Sequence, residues 1–136
     1  MNLTFLAPDG LAVPEADLSF VAQQIEKQPD SYWEYQTGMA SLLDVENSSP
    51  QLTFTARHSL GVLVRYCTED GADELVLTNP TSTSSGDEVA IYFGGDEWVV
   101  PGRYFVSKNL ALQAIAEFWR SGRMLRGQNW VVLGME

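Results

Sequence analysis

Hydrophobic and polar residues follow their clearest period between Val89 and Trp130. In the run VAIYF, Val89, Ile91 and Phe93 fall on one face of a strand, and Ala90 and Tyr92 on the other. Gly94-Gly95 supplies the positive φ angles that a two-residue hairpin turn demands. Trp98, Val99 and Val100 resume the strand as far as Pro101, which has no N–H to give a ladder. The period then changes to a helical one. Ala111, Ala114, Ile115 and Phe118 recur on a single face, with Ser107 placed as N-cap and Gly122 as left-handed C-cap. This predicts a helix over 107–121, followed by a short return to a final strand near Trp130. Its apolar face is expected to pack on the sheet face that carries Ile91 and Phe93.

Upstream, Asn2 to Leu6 reads as a first strand and Pro8-Asp9-Gly10 as a turn. Leu18, Val21, Ala22 and Ile25 form a helical stripe, so a helix is predicted near 16–28, starting between Pro14 and Asp17 and closed by Pro29. The aromatic run Tyr32 to Tyr35 reads as strand, interrupted by Gly38, and Ser41 to Val45 as a weaker one. After a turn at Asn47 to Pro50, Leu52, Phe54 and Ala56 alternate against Thr53 and Thr55. Leu60, Val62, Val64 and Tyr66 then alternate against Leu63, Arg65 and Cys67. A tight turn at Arg57 to Ser59 makes these two runs an antiparallel hairpin. Glu69 to Glu74 is an acidic turn, Leu75 to Thr78 a short strand, and Asn79 to Gly86 a hairpin loop. No internal repeat is present. The elements predict one α+β domain over 1–136, an antiparallel sheet with two principal helices on one face.

Composition narrows the function classes. Hydrophobic residues make up 45% of the 136 positions, enough for a folded core. No apolar run is long enough to span a bilayer, the N-terminus has no signal-peptide pattern, and the lone Cys67 permits no internal disulfide. The chain therefore reads as cytoplasmic, without a membrane partner. Net charge is −10. Residues 1–97 hold sixteen carboxylates against Lys27, Arg57 and Arg65, whereas residues 98–136 hold five cations against Glu117 and Glu136. Such a surface repels nucleic acid and attracts a basic protein. Acidic charge also serves solubility alone.

Catalytic constellations are sparse. His58 and Cys67, the only residues of their types, form the one conceivable nucleophile–base pair. The hairpin reading separates them by roughly 25 Å at strand rise. Two such ligands do not make a zinc site, and the acidic turn has the wrong length and spacing for an EF-hand. Gly94-Gly95 lacks the Gly-Lys-Ser/Thr of a phosphate loop. Adjacent carboxylates such as Asp87-Glu88 and Asp96-Glu97 point to opposite strand faces. The chain reads as a non-enzyme with no cofactor and no metal.

The order Tyr92-Phe93-Gly94-Gly95, Asp96-Glu97, Trp98-Val99-Val100-Pro101, Val106-Ser107, an alanine-rich helix, Glu117-Phe118, Ser121-Gly122-Arg123 and Asn129-Trp130 resembles immunity protein family 1 of bacterial polymorphic toxin systems. The resemblance covers about the last third of the chain. It departs at Met124-Leu125, where the family usually has proline. It implies a cytoplasmic inhibitor that occludes the active site of a cognate toxin domain, often a nucleic-acid deaminase. A toxin acting on nucleic acid tends to need a basic groove, which an acidic plug would match. Candidate contacts are carboxylates in turns and loop ends, namely Glu69, Asp70, Asp73 and Glu74; Asp87 and Glu88; and Asp96 and Glu97. Tyr92 or Trp98 would act as aromatic anchor. An acidic cytoplasmic chaperone for a secreted effector is the alternative, being equally small, α+β and free of catalytic residues. Oligomeric state is left open.

Overall fold

The computed structural model describes residues 3–44, 46, 50–68, 73–78 and 88–133. The expected loop at Asn79 to Gly86, and Glu69, Asp70 and Asp87, lie outside them. The fold is α+β, as expected. In chain order it comprises β1 (Thr4–Leu6), β2 (Ala12–Val13), α1 (Leu18–Lys27), α2 (Asp30–Trp33), β3 (Ala40–Leu43), β4 (Gln51–Arg57), β5 (Gly61–Cys67), β6 (Glu74–Thr78), β7 (Glu88–Phe93), β8 (Asp96–Pro101), a 3₁₀ turn at Gly102–Tyr104, α3 (Lys108–Ser121) and β9 (Asn129–Val132). Seven strands form one antiparallel sheet in the order β2-β1-β3-β4-β5-β6-β9, and β7 and β8 form a separate two-stranded sheet.

Both long helices begin and end where their caps demand. The Asp17 carboxylate accepts the Phe20 N–H at 2.7 Å, and Ser107 Oγ accepts the Leu110 N–H at 3.2 Å. α3 stops at Gly122, whose φ of 75° turns the backbone left-handed. The buried stripe of α3 is Ala111, Ala114, Ile115 and Phe118, as the period predicts. With Val21 and Ile25 of α1 it packs on the sheet face formed by Leu52, Phe54, Ala56, Val62, Val64 and Tyr66. Phe118 meets Tyr66 edge to face at a centroid distance of 6.0 Å. Truncating such a buried aromatic costs about 3 to 5 kcal/mol.

The expected partner of that helix face is corrected. Ile91 and Phe93 pack in a second core with Leu63, Val76, Val100, Tyr104 and Phe105, on the opposite side of the seven-stranded sheet. The protein is thus three layers: helices, large sheet, and the β7–β8 hairpin. Residues of β4 and β5 are buried on both faces because alternate side chains feed both cores.

A second correction concerns Tyr32 to Tyr35. Residues Asp30–Trp33 form one helical turn instead of a strand. Pro29 occupies the N-cap position and Asp30 places a carboxylate in the first turn, where helix polarity favours it. Trp33 enters the main core, stacked edge to face on Tyr32 at 5.1 Å. The β4–β5 turn is at His58 to Leu60, one residue later than expected, with β5 opening on Gly61. Val45, at the end of the expected third strand, lies outside the described residues, and β3 is Ala40–Leu43.

Gly38, which interrupts the strand reading, holds two layers together. Its φ is +74°, and an added Cβ would lie 1.9 Å from the Tyr92 carbonyl oxygen. Beside it the Gly95 N–H donates to the Thr37 carbonyl at 3.1 Å. The loop before β3 therefore runs directly against the hairpin backbone, and only glycine fits there.

Candidate partner-binding surface

The hairpin is the one predicted element whose two faces are both informative. Gly94 and Gly95, at φ of 67° and 89°, close it with no extra residue, so the register is fixed. Val89 faces Val100, Ile91 faces Trp98 and Phe93 faces Asp96. Val89, Ile91, Phe93, Trp98 and Val100 turn toward the second core. The other pairs, Glu88 with Pro101, Ala90 with Val99 and Tyr92 with Glu97, share the outer face. There Tyr92 is 44% and Val99 59% exposed. Together they form a small exposed apolar patch on the hairpin, a candidate contact surface. Glu88 and Glu97 bracket it, four strand steps or about 13 Å apart.

Beside β8 the patch continues into an open cavity of about 380 Å³, walled mainly by Trp98, Val100, Pro101, Tyr104 and Leu133. Tyr104 is buried, and its hydroxyl has no hydrogen-bond partner among the described residues. A buried phenol without a partner is costly.

Beneath the hairpin sits a cation that the sequence placed on a strand face without showing that it is buried. Arg65 is buried, with its guanidinium carbon 4.8 Å from the Phe93 ring centroid and 5.5 Å from that of Trp98. Its Nε donates to Thr53 Oγ1 at 3.0 Å, and Nη1 pairs with the Glu74 carboxylate at 3.3 Å. Arg57 is the second buried cation of this sheet face. It donates to Thr55 Oγ1 at 2.7 Å and to the Ala56 carbonyl at 2.9 Å, and pairs with Glu34 at 3.5 Å. Burial lowers its pKa, and Glu34 and Asp30 oppose that shift.

The acidic candidates therefore divide. Glu74 lies in strand β6 and engages Arg65, so part of its charge is used internally, although it stays half exposed. Asp73 is exposed at the strand's start. Glu88, Asp96 and Glu97 are exposed on the hairpin. Of the two aromatic candidates, Tyr92 faces outward, whereas Trp98 is half-buried, packs on Phe93 at 5.1 Å and lines the cavity. Val99, read in the sequence only as a strand residue, is exposed on this face, and Tyr104, absent from the sequence reading, is buried along the cavity wall. Val99 was recoverable from the hairpin register. Tyr104 was not, because its position depends on the turn docking against β5 and β6.

His58 is exposed at the β4–β5 turn and Cys67 is buried at the far end of that ladder, paired with Gln51. Burial pushes the Cys67 thiol up, Arg65 opposes the shift and Glu74 adds to it, so the thiolate is disfavoured. Among the described residues no group of three or more His, Cys, Asp or Glu side chains could hold a metal ion. Nor is any described helix long and apolar enough to cross a membrane. No protein-family model matches the chain, and no curated protein is similar to it in sequence.

Proposed function

We propose that this protein is an immunity-type inhibitor, which binds a cognate toxin domain and occludes its active site through the outer face of the β7–β8 hairpin. The observation that carries the reading is the exposure of Tyr92 and Val99 between Glu88 and Glu97, on a hairpin clamped by Gly38 and by Arg65. An aromatic and an aliphatic anchor flanked by Glu88 and Glu97 suit a partner with a basic, partly apolar groove. The adjoining cavity offers a place for one side chain of that partner. A net charge of −10 would speed the encounter. The resemblance of residues 89–130 to immunity protein family 1 supports the same class. It favours a toxin domain that acts on nucleic acid, deaminases among them.

The test is native mass of the chain mixed with the C-terminal domain of the protein encoded by the neighbouring gene, once that gene is identified as a toxin. A one-to-one complex with the toxin silenced is expected. Tyr92→Ala combined with Val99→Ser should weaken it by at least tenfold without altering the fold, since both side chains are exposed. Glu88→Gln with Glu97→Gln should lower the association rate and its salt dependence. Full binding by both double variants would remove the hairpin face from the interface.

A further inference from the structure

On the helix side of the large sheet, the loop between α3 and β9 is built unlike the rest of this acidic chain. Arg120, Arg123 and Arg126 fall within seven residues. Arg120 is engaged: it pairs with Glu117, whose other carboxylate oxygen accepts from Ser121 Oγ at 2.7 Å. The Ser121 hydroxyl first, and then Arg120, hold the Glu117 carboxyl below its ordinary range. Arg126 contributes to that shift from a distance, beyond ion-pair contact with Glu117. Arg123 and Arg126 are exposed, and neither has an ion pair among the described residues.

These two guanidiniums line a cleft of about 580 Å³ together with Tyr66, Met124, Leu125 and Trp130. Among the described residues no carboxylate lines it, although Glu117 lines the adjoining hollow and the whole chain carries −10. Its walls are fixed in place. Trp130 Nε1 donates to the Leu125 carbonyl at 3.0 Å, the Tyr66 and Trp130 rings meet edge to face at 6.5 Å, and the Tyr66 hydroxyl donates to the Gly122 carbonyl at 3.4 Å. With its N–H used, the indole offers the cleft an apolar surface. The C-terminus of α3 brings about half a negative charge to this region, which two guanidiniums outweigh. Arginine pairs recognise carboxylates and phosphates through paired N–H donors, and a cleft of this volume is of small-ligand size.

We propose that this cleft binds an oxyanion carried on an aromatic or apolar body, with Arg123 and Arg126 clamping the anion and Trp130, Met124 and Leu125 receiving the body. The site lies on the helix side of the sheet, opposite the hairpin, so it stands or falls independently of the inhibitor reading. A carboxylate and a phosphate share this chemistry, and the test separates them. The full chain is titrated with phenyl phosphate, phenylacetate, inorganic phosphate and benzyl alcohol, following the Trp130 indole N–H and the Arg123 and Arg126 Nε–H signals by NMR. One or both aromatic anions should shift these signals with Kd on the order of 1 mM, and the tighter one identifies the anion. Arg123→Ala with Arg126→Ala should weaken that binding at least tenfold while the remaining spectrum stays in place. No shift with either aromatic anion, equal binding of benzyl alcohol, or unchanged binding by the double variant would overturn the site. Inorganic phosphate binding as tightly as phenyl phosphate would overturn the part assigned to Trp130.

Discussion

Replacing Arg65 with alanine tests how the hairpin layer is held to the sheet. The side chain spans both: it donates to Thr53 on β4 and lies against Phe93 and Trp98 of the hairpin. Thr53 is fully buried, so depriving its hydroxyl of this partner costs about 1 to 3 kcal/mol. Contact with two rings contributes about 1 to 2 kcal/mol. The pair with Glu74, whose side chain is 46% exposed, adds no more than about 1 kcal/mol. The expected loss is about 3 to 4 kcal/mol, from a total stability of about 5 to 15 kcal/mol. With a urea dependence of about 2 kcal/mol per molar, the unfolding midpoint should fall by about 1.5 to 2 M. Tryptophan fluorescence should shift to the red in the native baseline as Trp98 loosens. Arg65→Met is expected to recover about half the loss, because a thioether refills the space against the rings but leaves Thr53 poorly partnered. A midpoint for Arg65→Ala within about 0.3 M of the parent would refute this account of the layer contact.

Two further outcomes follow from individual positions. Gly38→Ala should cost about 2 to 4 kcal/mol, since it adds backbone strain at φ +74° and a clash with the Tyr92 carbonyl. Gly10→Ala, at φ +88° with nothing within 4 Å of the added carbon, carries the strain without the clash and should cost clearly less. Equal thermal-melting shifts for the two would show that the loop does not bear on the hairpin. The Tyr32 phenol is pushed up to about 12, first by burial and then by Asp9. The folded state thus holds this proton more tightly than the unfolded state, whose phenol titrates near about pH 10. The associated stability is complete below about pH 10 and is lost as pH rises toward 12. Urea unfolding across that window should show the parent falling more steeply than Tyr32→Phe, and parallel curves would refute the shift.

Residue periodicity alone determined the parts of this protein whose rules are local. The α3 stripe and both its caps were legible because a helix repeats every few residues and its ends use adjacent side chains. The hairpin register was legible too, since a two-residue glycine turn fixes which side chains share a face. That parity already set Tyr92 on the face opposite Ile91 and Phe93, while the pairing of Tyr92 with Glu97 is seen in the structure. Tertiary structure decided which side of the large sheet the hairpin would cover. Alternation in β4 and β5 separates Leu52 and Phe54 from Thr53 and Thr55, yet it cannot show that the threonine face is also buried. It decided the state of Tyr32 to Tyr35 as well, because four residues are too few to display a period and Trp33 is turned into the core by packing. The burial of Arg65 had no local signal, since Thr53, Glu74, Phe93 and Trp98 come from four separate strands. The Arg123–Arg126 cleft likewise needs β9 to return beside Tyr66 before any wall exists. Periodicity reports which face of an element is apolar, whereas the choice of what covers that face is made by contacts distant in sequence.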